Sequence, residues 1–70
     1  DLYAVLGVSR AATSAELKRA HRAMSLRHHP DRVAEAEKGA ATERMASINQ
    51  AFDVLGDEAG RERYDRTGEF

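Results

Sequence analysis

The chain has 70 residues, 33% of them charged and 41% hydrophobic, with one proline, no cysteine and a formal net charge of −1. A chain of this length forms at most one domain with a thin core, and its composition excludes disulfides, thiolate metal sites and an apolar helix long enough to span a bilayer. Alanine, glutamate, arginine and leucine are abundant, so well-formed helix packing is the expected source of stability.

The first expected element is a short helix. Asp1 can cap it, Leu2, Val5 and Leu6 recur at i, i+3 and i+4, and Gly7 can end it in a left-handed cap. A clearer helix follows at 14–28. Thr13 and Glu16 have capping-box spacing, and Leu17, Ala20, His21, Met24 and His28 share one face. Pro30 disfavours helical geometry at His29, which sets the end of this helix near His28. Residues 29–40 read as a loop without a strong stop signal, its second half helix-like.

A third helix is expected over 41–55. Met45, Ile48, Phe52 and Leu55 form a heptad seam, and Gly56 suits the position just past the helix end. Asp57 can then cap a fourth helix at about 58–65. The resulting fold class is all-α, with four helices. Helices two and three form a central antiparallel hairpin with a His29-Pro30-Asp31 loop at its tip, and helices one and four flank it. Leu17, Met24, Met45, Ile48, Phe52 and Leu55 would make the seam, Leu2, Val5 and Leu6 would close it, and Tyr64 would anchor helix four. Residues 1–70 are read as one domain cut from a longer protein.

Charge is divided along the chain. Residues 14–29 carry Lys18, Arg19, Arg22 and Arg27 against Glu16, whereas residues 35–58 carry six acids against Lys38 and Arg44. A near-neutral chain with its positive charge gathered on one helix steers an acidic protein partner more than bulk nucleic acid. The sequence pI of about 6.3 and the four aromatic residues argue in the same direction. His21 and His28 lie two helical turns apart, roughly 10 Å, too far to share a metal ion. No nucleophile motif or glycine-rich phosphate loop is present, so no catalysis is expected within the chain.

Four blocks of the sequence resemble the J-domain (DnaJ) family in order and spacing. They are Asp1-Leu2-Tyr3-Ala4-Val5-Leu6-Gly7-Val8, Leu17-Lys18-Arg19-Ala20 through Arg27-His28-His29-Pro30-Asp31-Arg32, Ile48-Asn49-Gln50-Ala51-Phe52-Asp53-Val54-Leu55-Gly56-Asp57 and Arg61-Glu62-Arg63-Tyr64-Asp65. The resemblance implies a co-chaperone module that docks on a DnaK-type (70-kDa heat-shock class) chaperone and stimulates its ATP hydrolysis. It implies that Lys18, Arg22 and Arg27, with Arg19 as a lesser member, form the basic docking face. His29, Pro30 and Asp31 would form the triggering loop, meeting the ATPase domain and its interdomain linker.

The same reading expects a monomeric domain with no cofactor, no metal, no nucleic acid and no membrane partner, in a cytoplasmic or nuclear setting. His21, His28, Ala23, Val33 and Met45 depart from the family's usual residues. The loop after Arg32 resembles that of a divergent branch containing a nuclear, histone-handling J protein. A helical hairpin that binds a protein without altering its catalysis is the alternative from another functional class.

Overall fold

The computed structural model describes residues 1–70. Four α-helices are present: α1 (Leu2–Leu6), α2 (Ser14–His28), α3 (Lys38–Leu55) and α4 (Glu58–Thr67), with single 3₁₀ turns at Pro30–Arg32 and Glu35–Glu37. There are no strands. Helices α2 and α3 pack against each other as the hairpin, α1 lies across both, and α4 packs on the end of α3. The long hairpin stretches the molecule to 39 × 22 × 16 Å and carries the 3₁₀ turns at one end.

Helix α2 has the expected limits because both ends carry strong local chemistry. The Thr13 side chain accepts from Glu16 N at 3.1 Å, and Thr13 N donates to Glu16 Oε1 at 2.9 Å, which completes the capping box. At the other end His29 is extended, with φ −61° and ψ 132°, as the residue before a proline must be.

The box should also couple α2 to pH at the acid end. The hydrogen bond from the Thr13 backbone amide, followed by that with the Thr13 hydroxyl, holds the Glu16 carboxyl below its usual 4.5. A carboxyl with a lowered folded pKa adds stability above its unfolded value and loses it as pH falls through the folded one. Independently of that titration, Thr13→Ala removes the N-cap acceptor of α2 and is expected to cost about 1 kcal/mol. Glu16→Gln should flatten the decline in melting temperature below about pH 4.5. Thermal melts of the two variants against wild type across the acid range check both.

Other boundaries differ from the sequence expectation. Helix α3 starts at Lys38 instead of 41, after a 3₁₀ turn that runs directly into it. Its first residue is preceded by Glu37, which is helical and makes no side-chain cap, so no local signal marks the start. Helix α4 continues to Thr67 because Gly68, at φ 74°, supplies a left-handed stop. Gly56 does not play that part. It keeps φ −79°, and a Cβ there would lie 2.7 Å from the Phe52 carbonyl oxygen, so close approach accounts for glycine at this position.

The core is assembled from all four helices. Leu2, Tyr3, Leu6, Ala12, Leu17, Ile48, Ala51, Leu55 and Tyr64 form one buried cluster. Met24, Met45 and Phe52, expected on the seam, pack at its edge and are only half-buried. On α3 the buried row is Ala41, Ile48, Ala51 and Leu55, so the interior stripe is offset from the expected heptad. The alanines let the helices approach closely where a larger residue would hold them apart. Phe52 instead takes the His21 ring in a parallel stack at 4.3 Å, and His21 Nε2 lies 3.1 Å from Asn49 Oδ1. His21 thus links α2 to α3 at the margin of the seam, its ring against carbon and its nitrogen against oxygen.

Tyr64 anchors α4 as expected, with its hydroxyl accepting from the buried Leu2 backbone N–H at 3.0 Å. The larger anchor is Tyr3, which the apolar spacing of α1 had not placed in the core and which is 1% exposed. Its hydroxyl donates to Asp65 Oδ1 at 2.5 Å and accepts from Arg61 Nε at 3.1 Å. The guanidinium groups of Arg10 and Arg61 lie 5.3 and 5.5 Å from its ring centre. Arg61 also donates to the carbonyls of Arg10 and Ala12 at 3.1 and 2.6 Å. One arginine therefore ties α1, the α1–α2 connection and α4 together.

Candidate functional site

The hairpin tip is built by one histidine serving two elements. His29 ends α2 and begins the 3₁₀ turn of Pro30, Asp31 and Arg32. Its backbone carbonyl accepts from Arg32 N at 2.9 Å, and its ring Nδ1 accepts from Asp31 N at 3.2 Å. That second bond defines the tautomer: Nδ1 is the acceptor, so the ring proton of neutral His29 sits on Nε2. The Asp31 carboxylate lies 3.7 Å from the same Nδ1. This spacing is too long for a hydrogen bond, and the backbone amide already occupies the lone pair.

Pro30 fills the first position of the turn, where its fixed φ suits the geometry and its missing N–H is not required. The tip is therefore held by covalent restraint and two local hydrogen bonds. The Asp31 side chain is left 86% exposed, with its oxygens free to accept from outside. A free carboxylate on a restrained turn suits a planar guanidinium donor, which can engage both oxygens.

The four cations of α2 are all exposed. None has a carboxylate within 4.0 Å; the Arg and Lys ion pairs of the chain are Arg10–Asp65, Lys38–Glu35 and Arg61–Asp65. Lys18 and Arg22 stand one turn apart in one row, with Arg19 beside them. Arg27 lies about 140° around the helix from Arg22 and forms a separate flank in the last turn. There it is favourably placed against the helix dipole and close in sequence to the tip. Around α2 the four spread over about 180°, in the order Lys18, Arg22, Arg19 and Arg27.

On the other side of the hairpin, a cleft of about 480 Å³ opens between α1, α2 and α3, lined by Val5, Met24, His28, Ala40, Glu43, Arg44, Ser47 and Ile48. It is open and shares no residue with the tripeptide.

The DnaJ domain family profile matches residues 1–65. The chain belongs to the DnaJ domain family. This J domain is 47% identical over 68 residues to the chaperone protein DnaJ of Bordetella petrii, with 97% of the chain covered. It is 48% identical over 69 residues to the DnaJ of Thermosynechococcus vestitus, with 99% covered. The chain spans 18% of the length of each of these relatives. In three dimensions the crystal structure of ERdj5 form II matches 99% of the J domain with a TM-score of 0.86 and 38% identity, over 9% of that chain. Membership of the DnaJ domain family and the four-helix fold thus agree with the sequence reading.

Proposed function

We propose that this J domain docks on a DnaK-type chaperone through the basic face of α2 and stimulates that chaperone's ATP hydrolysis through His29, Pro30 and Asp31. Client delivery is thereby coupled to substrate trapping. The domain supplies contact and no bond-breaking chemistry, and the ATPase it serves is taken to be cytoplasmic or nuclear. The observation that carries the reading is an exposed Asp31 carboxylate on a pre-set turn, beside a helix whose cations are unpaired within the chain.

The two parts have separate physical tasks. Lys18, Arg19 and Arg22 attract an acidic surface over distances of about a Debye length, which raises the association rate and sets orientation. Arg27 extends this attraction toward the tip. Asp31 then takes an arginine at the junction of the ATPase domain and its interdomain linker. Because Pro30 and the His29 ring order the turn beforehand, little conformational entropy is lost on contact.

Single-turnover ATP hydrolysis by a DnaK-type chaperone, with and without the chain, tests the proposal. A saturable acceleration is expected, and an unchanged rate would refute it. The electrostatic part has its own test. Reversing Lys18 and Arg22 to glutamate should slow association by about tenfold or more at low ionic strength, with the gap closing as salt is added. A deficit that salt does not alter would point to a damaged fold and not to lost attraction.

A further inference from the structure

The hydrogen bonds that shape the apical turn are internal to it. The His29 carbonyl holds Arg32 N and the His29 ring holds Asp31 N. Further along the loop, Glu37 N donates only to the Ala34 carbonyl, and the Lys38–Glu35 ion pair reaches no further than the first residue of α3. These contacts fix the shape of the turn. They do not fix how it is aimed relative to the cations of α2.

The aim is left to apolar packing. From His29 to Ala40 only Pro30 and Val33 are half-buried, and every other residue is exposed. At three residues per turn, positions 30 and 33 fall on one side of a 3₁₀ turn, and Asp31 falls away from it. That turn packs on α3. On α3, Ala41 is 1% exposed, yet it stands outside the nine-residue core cluster. It is the only buried residue of α3 before Ile48. Its cover therefore comes from the apical end of the hairpin, where Pro30 and Val33 turn inward. A close-packed contact takes up added carbon by shifting a neighbour. The neighbour with no hydrogen bond to α3 is the turn.

We propose that Ala41 is a positioning residue for the triggering turn: its methyl seats Pro30 and Val33 on α3 and so sets where the Asp31 carboxylate stands relative to the α2 cations. This rests on the function proposed above. Ala41 is buried, so it touches no partner and acts through the turn alone. Docking through α2 and triggering through Asp31 thereby become separable, because only the second depends on the seat.

The test follows single-turnover hydrolysis by an ATP-bound DnaK-type chaperone against domain concentration, for wild type, Ala41→Ser, Ala41→Val and Ala41→Leu. The readouts are the maximal rate and the concentration that gives half of it. Serine is close to alanine in size and should preserve both. Valine and leucine should lower the maximal rate in order of size, leucine by about tenfold, with the half-saturating concentration within about threefold of wild type. Circular dichroism and thermal melts establish which variants are folded; if Ala41→Leu is not, Ala41→Val carries the comparison. An unchanged maximal rate in a folded, enlarged variant overturns the assignment. So does a loss seen only in the half-saturating concentration, or one that merely tracks the melting temperature, which would make Ala41 an ordinary core residue. Each of these leaves the proposed function standing if wild type stimulates hydrolysis, whereas a wild-type chain that fails to stimulate overturns both.

Discussion

Asp31→Asn should abolish stimulation of the chaperone's ATP hydrolysis while leaving the domain folded and still attracted to its partner. The substitution removes one charge at nearly constant shape. An arginine bound to the carboxylate would lose a charge-assisted hydrogen bond worth about 1.5–3 kcal/mol, or one to two decades in the stimulated rate. The turn itself should persist, because its bonds use the Asp31 backbone N–H and the His29 carbonyl and ring, none of which changes. The side chain is exposed and makes no hydrogen bond within the chain, so stability should shift by no more than about 0.5 kcal/mol. Circular dichroism and a thermal melt should match wild type, and the single-turnover rate should approach that of the chaperone alone. Full stimulation by Asp31→Asn would remove the tripeptide from the mechanism.

Tyr3→Ala should be the most destabilising single substitution in the domain. Emptying a buried aromatic site costs about 3–5 kcal/mol. A 70-residue domain has a total stability of about 4–10 kcal/mol, so this one change removes a large share. The loss extends beyond volume. Arg61 and Asp65 would lose the hydroxyl that joins them, and α4 would lose two of its three hydrogen bonds to α1. Denaturant titration should show a large fall in midpoint.

Tyr3→Phe is the milder partner variant. It keeps the ring and removes the hydroxyl, for about 1 kcal/mol at neutral pH. It also carries a pH signature. Burial, reinforced by the hydrogen bond to the Asp65 carboxylate and partly opposed by Arg61, raises the Tyr3 hydroxyl above its usual 10.0. The neutral phenol is therefore favoured in the folded state. The resulting stability is complete below about pH 10 and is lost as pH rises through the folded value. The advantage of wild type over Tyr3→Phe should shrink above pH 10, and a constant difference across the alkaline range would contradict the assignment.

Legibility in the sequence followed the range of the interaction concerned. Helix α2 was readable to the residue because Thr13 with Glu16 starts it and Pro30 stops it, each through groups within four positions. The tripeptide and the four cations were readable as residue types for the same reason. What they lacked was arrangement. The bond from Asp31 N to the His29 ring depends on backbone conformation.

The start of α3 was not readable, since alanine, glutamate and lysine favour helix equally on both sides of Lys38 and no cap divides them. The end of α4 had a signal in Gly68, three residues beyond the expected limit.

Sequence alone determined the all-α class, the order of the four helices, the place of the His29-Pro30-Asp31 turn at the hairpin tip and the gathering of positive charge on α2. These follow from local periodicity, capping and proline sterics, which act within a few residues. Only the tertiary structure decided that Tyr3 outranks Val5 in the core, that Ala41 and Ala51 join Ile48 and Leu55 on the inner stripe of α3 in place of Met45 and Phe52, and that Arg61 of α4 binds Tyr3 of α1 across 58 residues of sequence. A five-residue helix covered on two sides buries more than one stripe, and a pairing between distant residues leaves no periodic trace in either segment.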